Sequence, residues 1–144
     1  MLTAFSSLGL RIGLGLVLLS GSIALFGAEK GEKKAPQGFF DIESPQAASI
    51  LGRFANFVIL DIRTPKEFEA GHLKRAKNID YFADDFAQKI DKLDRNQAYL
   101  VHCASGGRSG RSMTVFKEKG FTTIYHLADG YKGWVAAKQP VVKQ

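Results

Sequence analysis

One cysteine, Cys103, begins a short segment that contains two glycines, two serines and an arginine. The segment reads Cys103-Ala104-Ser105-Gly106-Gly107-Arg108-Ser109 and follows the apolar run AYLVH. A thiol between a strand and a helix lies above the helix N-terminus, where free N–H groups and the helix dipole favour negative charge. Arg108 adds a fixed positive charge. Both effects lower the pKa of a thiol, and the thiolate is its nucleophilic form, so we predict that Cys103 is reactive.

The two glycines are typical of a loop whose backbone N–H groups point inward. Such a loop curls tightly, and some of its residues need a positive φ, which glycine adopts at little steric cost. The result is an anion-binding nest. We therefore predict that the backbone from Ala104 to Ser109 binds an anionic substrate and stabilises charge on the sulfur. A buried structural cysteine, with Arg108 as a surface charge, is the alternative and a common fate of free cysteines.

The elements that position this loop alternate between strand and helix. Strands are predicted over residues 38–42, 57–62, 76–79, 98–102 and 122–127. Helices are predicted from residue 44 onward and over 65–70, 82–93, 108–119 and 131–137. This alternation predicts an α/β domain with a mostly parallel central sheet flanked by helices. Sites in such sheets lie at the carboxyl ends of strands, where the cysteine segment falls.

Two helix starts carry a capping residue before a proline. We expect Ser44 and Thr64 to be N-caps, with Pro45 and Pro65 at the first helical position. Glu67 follows Thr64 by three residues, which predicts a capping box.

The cysteine segment resembles the active-site loop of the rhodaneses, Cys-x-x-Gly-x-Arg-Ser. Two further segments agree with that family in the same order. The earlier one comprises Leu60-Asp61-Ile62-Arg63, Glu67-Phe68, Gly71-His72-Leu73 and Ala76-x-Asn78. The later one comprises Leu127, Gly130, Tyr131 and Trp134, similar to Leu-x-Gly-Gly-Phe/Tyr-x-x-Trp. The resemblance runs from about residue 41 to residue 141.

The resemblance implies a rhodanese-like fold and a sulfurtransferase activity. Cys103 would take sulfane sulfur from thiosulfate or a similar small anionic donor, as a persulfide. A thiophilic acceptor such as cyanide or a thiol would then remove the sulfur. The N–H groups of residues 104–109 would hold the persulfide, and Arg108 would help to bind the donor. No metal or organic cofactor is implied.

Two other functions are compatible with a reactive thiolate in this fold. A module of the same fold would carry sulfur, or bind small anions, for a partner protein without turnover. A thiolate phosphatase or arsenate reductase would use the same thiolate, but related phosphatases carry Cys-x5-Arg, and this chain has Cys-x4-Arg. The shorter loop suits a sulfur atom better than a tetrahedral oxyanion.

The closing segment departs from the family pattern at one position. Asp129 stands where the first of two glycines is usual. Aspartate tolerates a left-handed conformation better than most residues, so we expect the turn to persist. Its carboxylate would add negative charge near the site.

The remaining polar candidates are expected to be structural. Asp61, Arg63 and Glu67 suggest a local network that holds the loop after the second strand. The same expectation covers His72, His102, His126 and Trp134. His102 precedes Cys103 in a strand, so its side chain should lie on the opposite face. His126 has no partner that the sequence identifies.

Composition and the N-terminal segment indicate the class of partner and the location of the protein. The 144 residues carry a net charge of +6, but the lysines and arginines are scattered, so we expect no nucleic-acid function. Residues 1–28 contain an apolar run at 12–26 after Arg11, which predicts a secretory signal or, alternatively, an uncleaved membrane anchor. Residues 29–37 form a charged linker, and residues 38–144 form the rhodanese-like domain. This organisation predicts a periplasmic or otherwise exported protein, tethered to the membrane if the segment is retained.

Overall fold

The computed structural model describes residues 34–143. The predicted signal or anchor, with most of the linker, lies outside these residues. Residues 34–37 form no helix or strand, and Tyr125 Oη donates a 3.1 Å hydrogen bond to the Pro36 carbonyl. Between residues 34 and 143, no helix has the length and apolar character needed to cross a membrane.

A parallel sheet of five strands forms the centre of this region. Its strands are β1 (Gly38–Ile42), β2 (Phe57–Asp61), β4 (Lys77–Asn78), β5 (Ala98–His102) and β6 (Thr123–Leu127). Two further strands, β3 (His72–Leu73) and β7 (Val141–Val142), pair antiparallel as a separate ribbon. The order in the main sheet is β1-β6-β5-β2-β4. β5 is therefore central, and its carboxyl end leads directly into Cys103.

Helices cover both faces of the sheet. They are α1 (Ser44–Arg53), α2 (Pro65–Glu69), α3 (Phe86–Asp91), α4 (Gly107–Glu118) and α5 (Gly130–Ala136). Because strand side chains alternate between faces, two buried clusters result. One joins β2, β5 and β6 to α3 and α4, and the other joins the sheet to α1 and α5. Trp134 of α5 is buried in the second cluster, as expected. The predicted α/β fold with a parallel sheet is confirmed.

Two predicted helix starts are wrong. The helix predicted over 82–93 begins only at Phe86, and Phe82 is 64% exposed. Asp80 Oδ1 accepts a 2.9 Å hydrogen bond from the Phe82 N–H, which favours turns before the helix. Ser44 is the first residue of α1 and Glu43 is its N-cap, whose N–H donates to the Gln46 side chain.

The second predicted cap is confirmed. Thr64 caps α2 with a reciprocal capping box, in which the Glu67 N–H donates to Thr64 Oγ1 and the Thr64 N–H donates to Glu67 Oε2. The ribbon of β3 and β7 was not predicted, because a strand of two residues shows no periodic pattern.

Candidate active site

Cys103 lies between the end of β5 and the start of α4, at the carboxyl edge of the sheet. The residue is only 1% exposed. Residues 103–106 form the loop, and Gly106 is the N-cap of α4 with φ +85°. A side chain on Gly106 would collide with the Ala128 carbonyl oxygen, so glycine is required there. Gly107 begins the helix without a positive φ. Of the two glycines predicted to supply a positive φ, only Gly106 therefore does so.

The sulfur of Cys103 is surrounded by hydrogen-bond donors. Ser109 Oγ lies 3.4 Å from the sulfur, and the backbone N–H groups of Ser105, Arg108 and Ser109 also point to it. Burial raises the pKa of the Cys103 thiol, but these hydrogen bonds together outweigh burial and bring the pKa below its ordinary value. The predicted nest therefore surrounds the sulfur itself and stabilises the thiolate.

The N-terminus of α5 holds the outer side of this loop. The Tyr131 N–H donates a 2.8 Å hydrogen bond to the Cys103 carbonyl, and the Lys132 N–H donates a 3.0 Å hydrogen bond to the Ala104 carbonyl. With these carbonyls engaged by α5, the loop turns its N–H groups toward the sulfur. The closing motif thus positions the cysteine loop.

Gly130 rather than Asp129 requires the special backbone conformation in the closing motif. Gly130 has φ +61°, and a Cβ on it would lie 2.7 Å from the Ser105 nitrogen. Asp129 is right-handed, with φ −86° and ψ −8°, so the left-handed conformation expected there does not occur. Its carboxylate accepts a 3.1 Å hydrogen bond from the Ser44 N–H at the start of α1.

Arg108 forms a two-pronged ion pair with Glu67 of α2. The guanidinium nitrogens donate hydrogen bonds of 2.8 and 2.7 Å to the two carboxylate oxygens. This contact is the main reason that the pKa of Glu67 falls to about 2. The exposed Phe82 ring lies 5.5 Å from the guanidinium carbon. The expected role of Glu67 in a local network is therefore incomplete, because Glu67 also joins α2 to the first turn of α4, directly after the cysteine loop.

A second set of contacts reaches the loop from the edge of the sheet. Ser109 Oγ lies 2.9 Å from His126 Nε2 on β6, and His126 Nδ1 lies 2.8 Å from Asp41 Oδ1 on β1. The sequence alone identifies no partner for His126. The usable signal is the parallel register, which pairs Asp41 with His126 on adjacent strands.

Asp61 and Arg63 form the structural network that was expected. Their ion pair is buried, with the two side chains 0% and 4% exposed. Arg63 Nη2 also donates a 2.7 Å hydrogen bond to the Gly71 carbonyl. The pair thus ties the end of β2 to the end of α2, away from the sulfur's hydrogen bonds.

The other two histidines do not contact the sulfur. The His72 ring stacks on Phe68 at 3.8 Å, and its Nδ1 lies 3.0 Å from the Phe68 carbonyl oxygen. His102 is buried on the face opposite Cys103, with Nε2 3.6 Å from Asp61 Oδ2. Burial lowers the pKa of His102, which favours the neutral ring. Among residues 34–143, no three His, Cys, Asp or Glu side chains are grouped to hold a metal ion.

Comparisons with known proteins agree on one family. A family model described as the rhodanese-like domain matches residues 40–137. The chain is 33% identical over 76 residues to the uncharacterized Bacillus subtilis protein YqhL, a match that covers 53% of this chain and 59% of that protein. It is 34% identical over 85 residues to thiosulfate sulfurtransferase 16, chloroplastic, of Arabidopsis thaliana, covering 52% of this chain and 71% of that protein.

A solved structure extends the likeness to the fold. The crystal structure of a rhodanese-related protein from Thermoplasma volcanium matches with a TM-score of 0.65 at 25% identity. The match covers 73% of this chain and 99% of that protein's chain. The chain thus spans nearly all of that solved chain, but less than two thirds of the Bacillus relative.

Proposed function

The chain belongs to the rhodanese-like domain family, and we propose on this basis that it is a sulfurtransferase that carries sulfane sulfur on Cys103. The observation that carries the proposal is the ring of donors around the Cys103 sulfur, from Ser105, Arg108 and Ser109. These donors favour the thiolate that must attack a sulfur donor. They are equally suited to hold the negative charge of a persulfide.

The proposed reaction has two displacement steps. The Cys103 thiolate attacks the outer sulfur of thiosulfate, the new S–S bond forms, and the S–S bond of thiosulfate breaks to release sulfite. An acceptor such as cyanide then attacks the outer sulfur of the persulfide, which releases thiocyanate and restores the thiolate. In each step the attacking group supplies the electron pair of the new bond, and the leaving group keeps the pair of the broken bond. The sulfur therefore stays at the sulfane oxidation level, and no external oxidant or reductant is needed.

Arg108 is the group proposed to bind the anionic donor. Its guanidinium is already paired with Glu67 through two hydrogen bonds. A dianion such as thiosulfate therefore has to share the guanidinium with a carboxylate, which weakens its binding relative to a free arginine. Arg108 also contributes its backbone N–H to the sulfur.

The same pairing favours a second candidate function, a sulfur carrier that receives sulfur from a protein persulfide. A carrier has less need of a free positive charge, because its donor is not a small dianion. The phosphatase and arsenate reductase alternative requires a loop for a tetrahedral oxyanion, and the Cys-x4-Arg spacing argues against it.

The test is sulfur transfer from thiosulfate to cyanide by the full chain, with intact mass recorded before and after the donor is added. We expect thiocyanate, together with a donor-dependent gain of one sulfur mass, and neither in Cys103→Ser. Mass gain without turnover would indicate a carrier that thiosulfate is able to load. Neither signal from a folded, reduced protein would exclude thiosulfate as its donor.

A further inference from the structure

The hydroxyl of Ser109 has three polar neighbours and one proton to share among them. Its Oγ lies 3.4 Å from Cys103 Sγ, 3.1 Å from the Gly106 carbonyl oxygen and 2.9 Å from His126 Nε2. A hydroxyl donates one hydrogen bond and accepts others. When the proton is directed to His126, the sulfur loses the Ser109 hydrogen bond. The state of His126 therefore controls a donor to the reactive sulfur.

Asp41 determines which nitrogen of the His126 ring carries hydrogen. Asp41 Oδ1 lies 2.8 Å from Nδ1, and an ionised carboxylate only accepts hydrogen bonds. In the neutral ring we therefore assign hydrogen to Nδ1, which leaves Nε2 as an acceptor for Ser109. Nε2 also lies 3.2 Å from the Gly106 carbonyl oxygen, which only accepts and so gains a hydrogen bond when Nε2 is protonated. Protonation of Nε2 reverses this contact, because Nε2–H then donates to Ser109 Oγ.

We propose that His126 is a positioning residue that takes up the proton of the Cys103 thiol through Ser109. The thiol proton passes to Ser109 Oγ while the Ser109 proton passes to His126 Nε2, so the total charge is unchanged. The products are a Cys103 thiolate and a His126 imidazolium. Nε2–H then donates to Ser109 Oγ, and the Ser109 hydroxyl donates to the thiolate. Both new hydrogen bonds involve a charged partner and are stronger than the neutral ones they replace.

The groups around His126 are compatible with an imidazolium. Asp41 of β1 stabilises positive charge, although its side chain is 80% exposed and solvent weakens the interaction. On the α4 side, Lys117 lines the same cavity as His126 and opposes positive charge there. Cys103 at the end of β5 supplies the compensating negative charge once it ionises.

The relay from Cys103 to His126 rests on the proposed function in one respect, which is that sulfur transfer requires the Cys103 thiolate. Ionisation of Cys103 is measured without any sulfur donor, so a failed transfer assay and a failed relay are distinguishable. The readout is the ultraviolet absorbance of the thiolate in the full chain, with Cys103→Ser as the blank. Cys103 is the only cysteine in the sequence, so the signal has one source.

We expect His126→Gln to raise the midpoint of thiolate formation by about one pH unit, the size of one lost hydrogen bond to a charged group. Ser109→Ala should raise the midpoint similarly, and the double variant should add no second shift, because His126 acts through Ser109. His72→Gln is the matched control, since His72 and His126 are each 7% exposed and His72 does not contact Ser109. This control should leave the midpoint unchanged.

An unchanged midpoint in folded His126→Gln, or a full second shift in the double variant, would overturn the proposal. Asp41→Asn tests it independently, because this exposed position tolerates substitution; the midpoint should rise by a smaller amount. Nitrogen-15 spectra give a direct readout of the ring. Just above the midpoint of thiolate formation, His126 in the native chain should carry hydrogen on both ring nitrogens. A ring with hydrogen on one nitrogen only would also refute the relay.

Discussion

Both carboxylate oxygens of Glu67 accept hydrogen bonds from the Arg108 guanidinium, at 2.8 and 2.7 Å, although the two residues are 41 positions apart in the sequence. Glu67 also caps α2 through Thr64. The Glu67 side chain thus holds both the start of α2 and Arg108 in the first turn of α4. The charge that Arg108 offers to an anionic donor depends on this carboxylate.

Replacing Glu67 with glutamine should strengthen the binding of thiosulfate. Glu67→Gln keeps the shape of the side chain and removes the charge that competes with the donor. We expect KM for thiosulfate to fall about twofold to fivefold, from the ~0.5–1 kcal/mol typical of a partly exposed ion pair. Steady-state kinetics measure this effect, with the exposed Glu69→Gln of the same helix as the control. A higher KM in folded Glu67→Gln would instead show that Glu67 is needed to orient Arg108.

The same pair predicts how stability depends on pH. The pKa of Glu67 is about 2 in the folded chain, against an ordinary value of 4.5. Because the folded pKa is the lower one, the stabilisation is fully present above about pH 4.5 and is lost as the pH falls toward 2. The difference in unfolding free energy between the native chain and Glu67→Gln should therefore shrink over this interval in urea titrations. A difference that stays constant down to pH 2 would contradict the assignment.

The contact between Gly130 and the cysteine loop should make alanine costly there. Gly130→Ala forces a left-handed alanine, at a cost of about 1–2 kcal/mol, and places a methyl group 2.7 Å from the Ser105 nitrogen. We expect a lower unfolding free energy and loss of sulfur transfer, as the loop is displaced from its place on α5. Gly52→Ala is the control, since nothing lies within 4 Å of a Cβ there and α1 should gain up to about 1 kcal/mol. Equal stability of the two variants would show that the loop can move aside.

The cysteine loop was predictable because its strand, nest and helix are contiguous in sequence. The roles of Glu67 and His126 were not, since each depends on a contact between distant elements. Asp41 and His126 are 85 residues apart and meet only through the register of β1 and β6. The helix predicted from Phe82 was wrong because Phe82 precedes Phe86 by four residues, the spacing of one helix face. In the structure Phe82 lies in a turn before α3, and its ring is exposed.

The buried pair of Asp61 and Arg63 should be far more sensitive than ion pairs on the surface. Arg63→Met removes the guanidinium and leaves the Asp61 carboxylate buried without its partner, which costs about 3–5 kcal/mol. The surface pair of Arg95 and Asp91 has side chains 47% and 52% exposed, so Arg95→Met should lower the unfolding free energy far less than Arg63→Met. Chemical denaturation of the two variants tests this contrast.

Adding Asp61→Asn to Arg63→Met should recover part of the lost unfolding free energy, because it removes the unpaired charge. If the double variant is no more stable than Arg63→Met, the loss of stability comes from lost packing of the arginine and not from the unpaired Asp61 carboxylate.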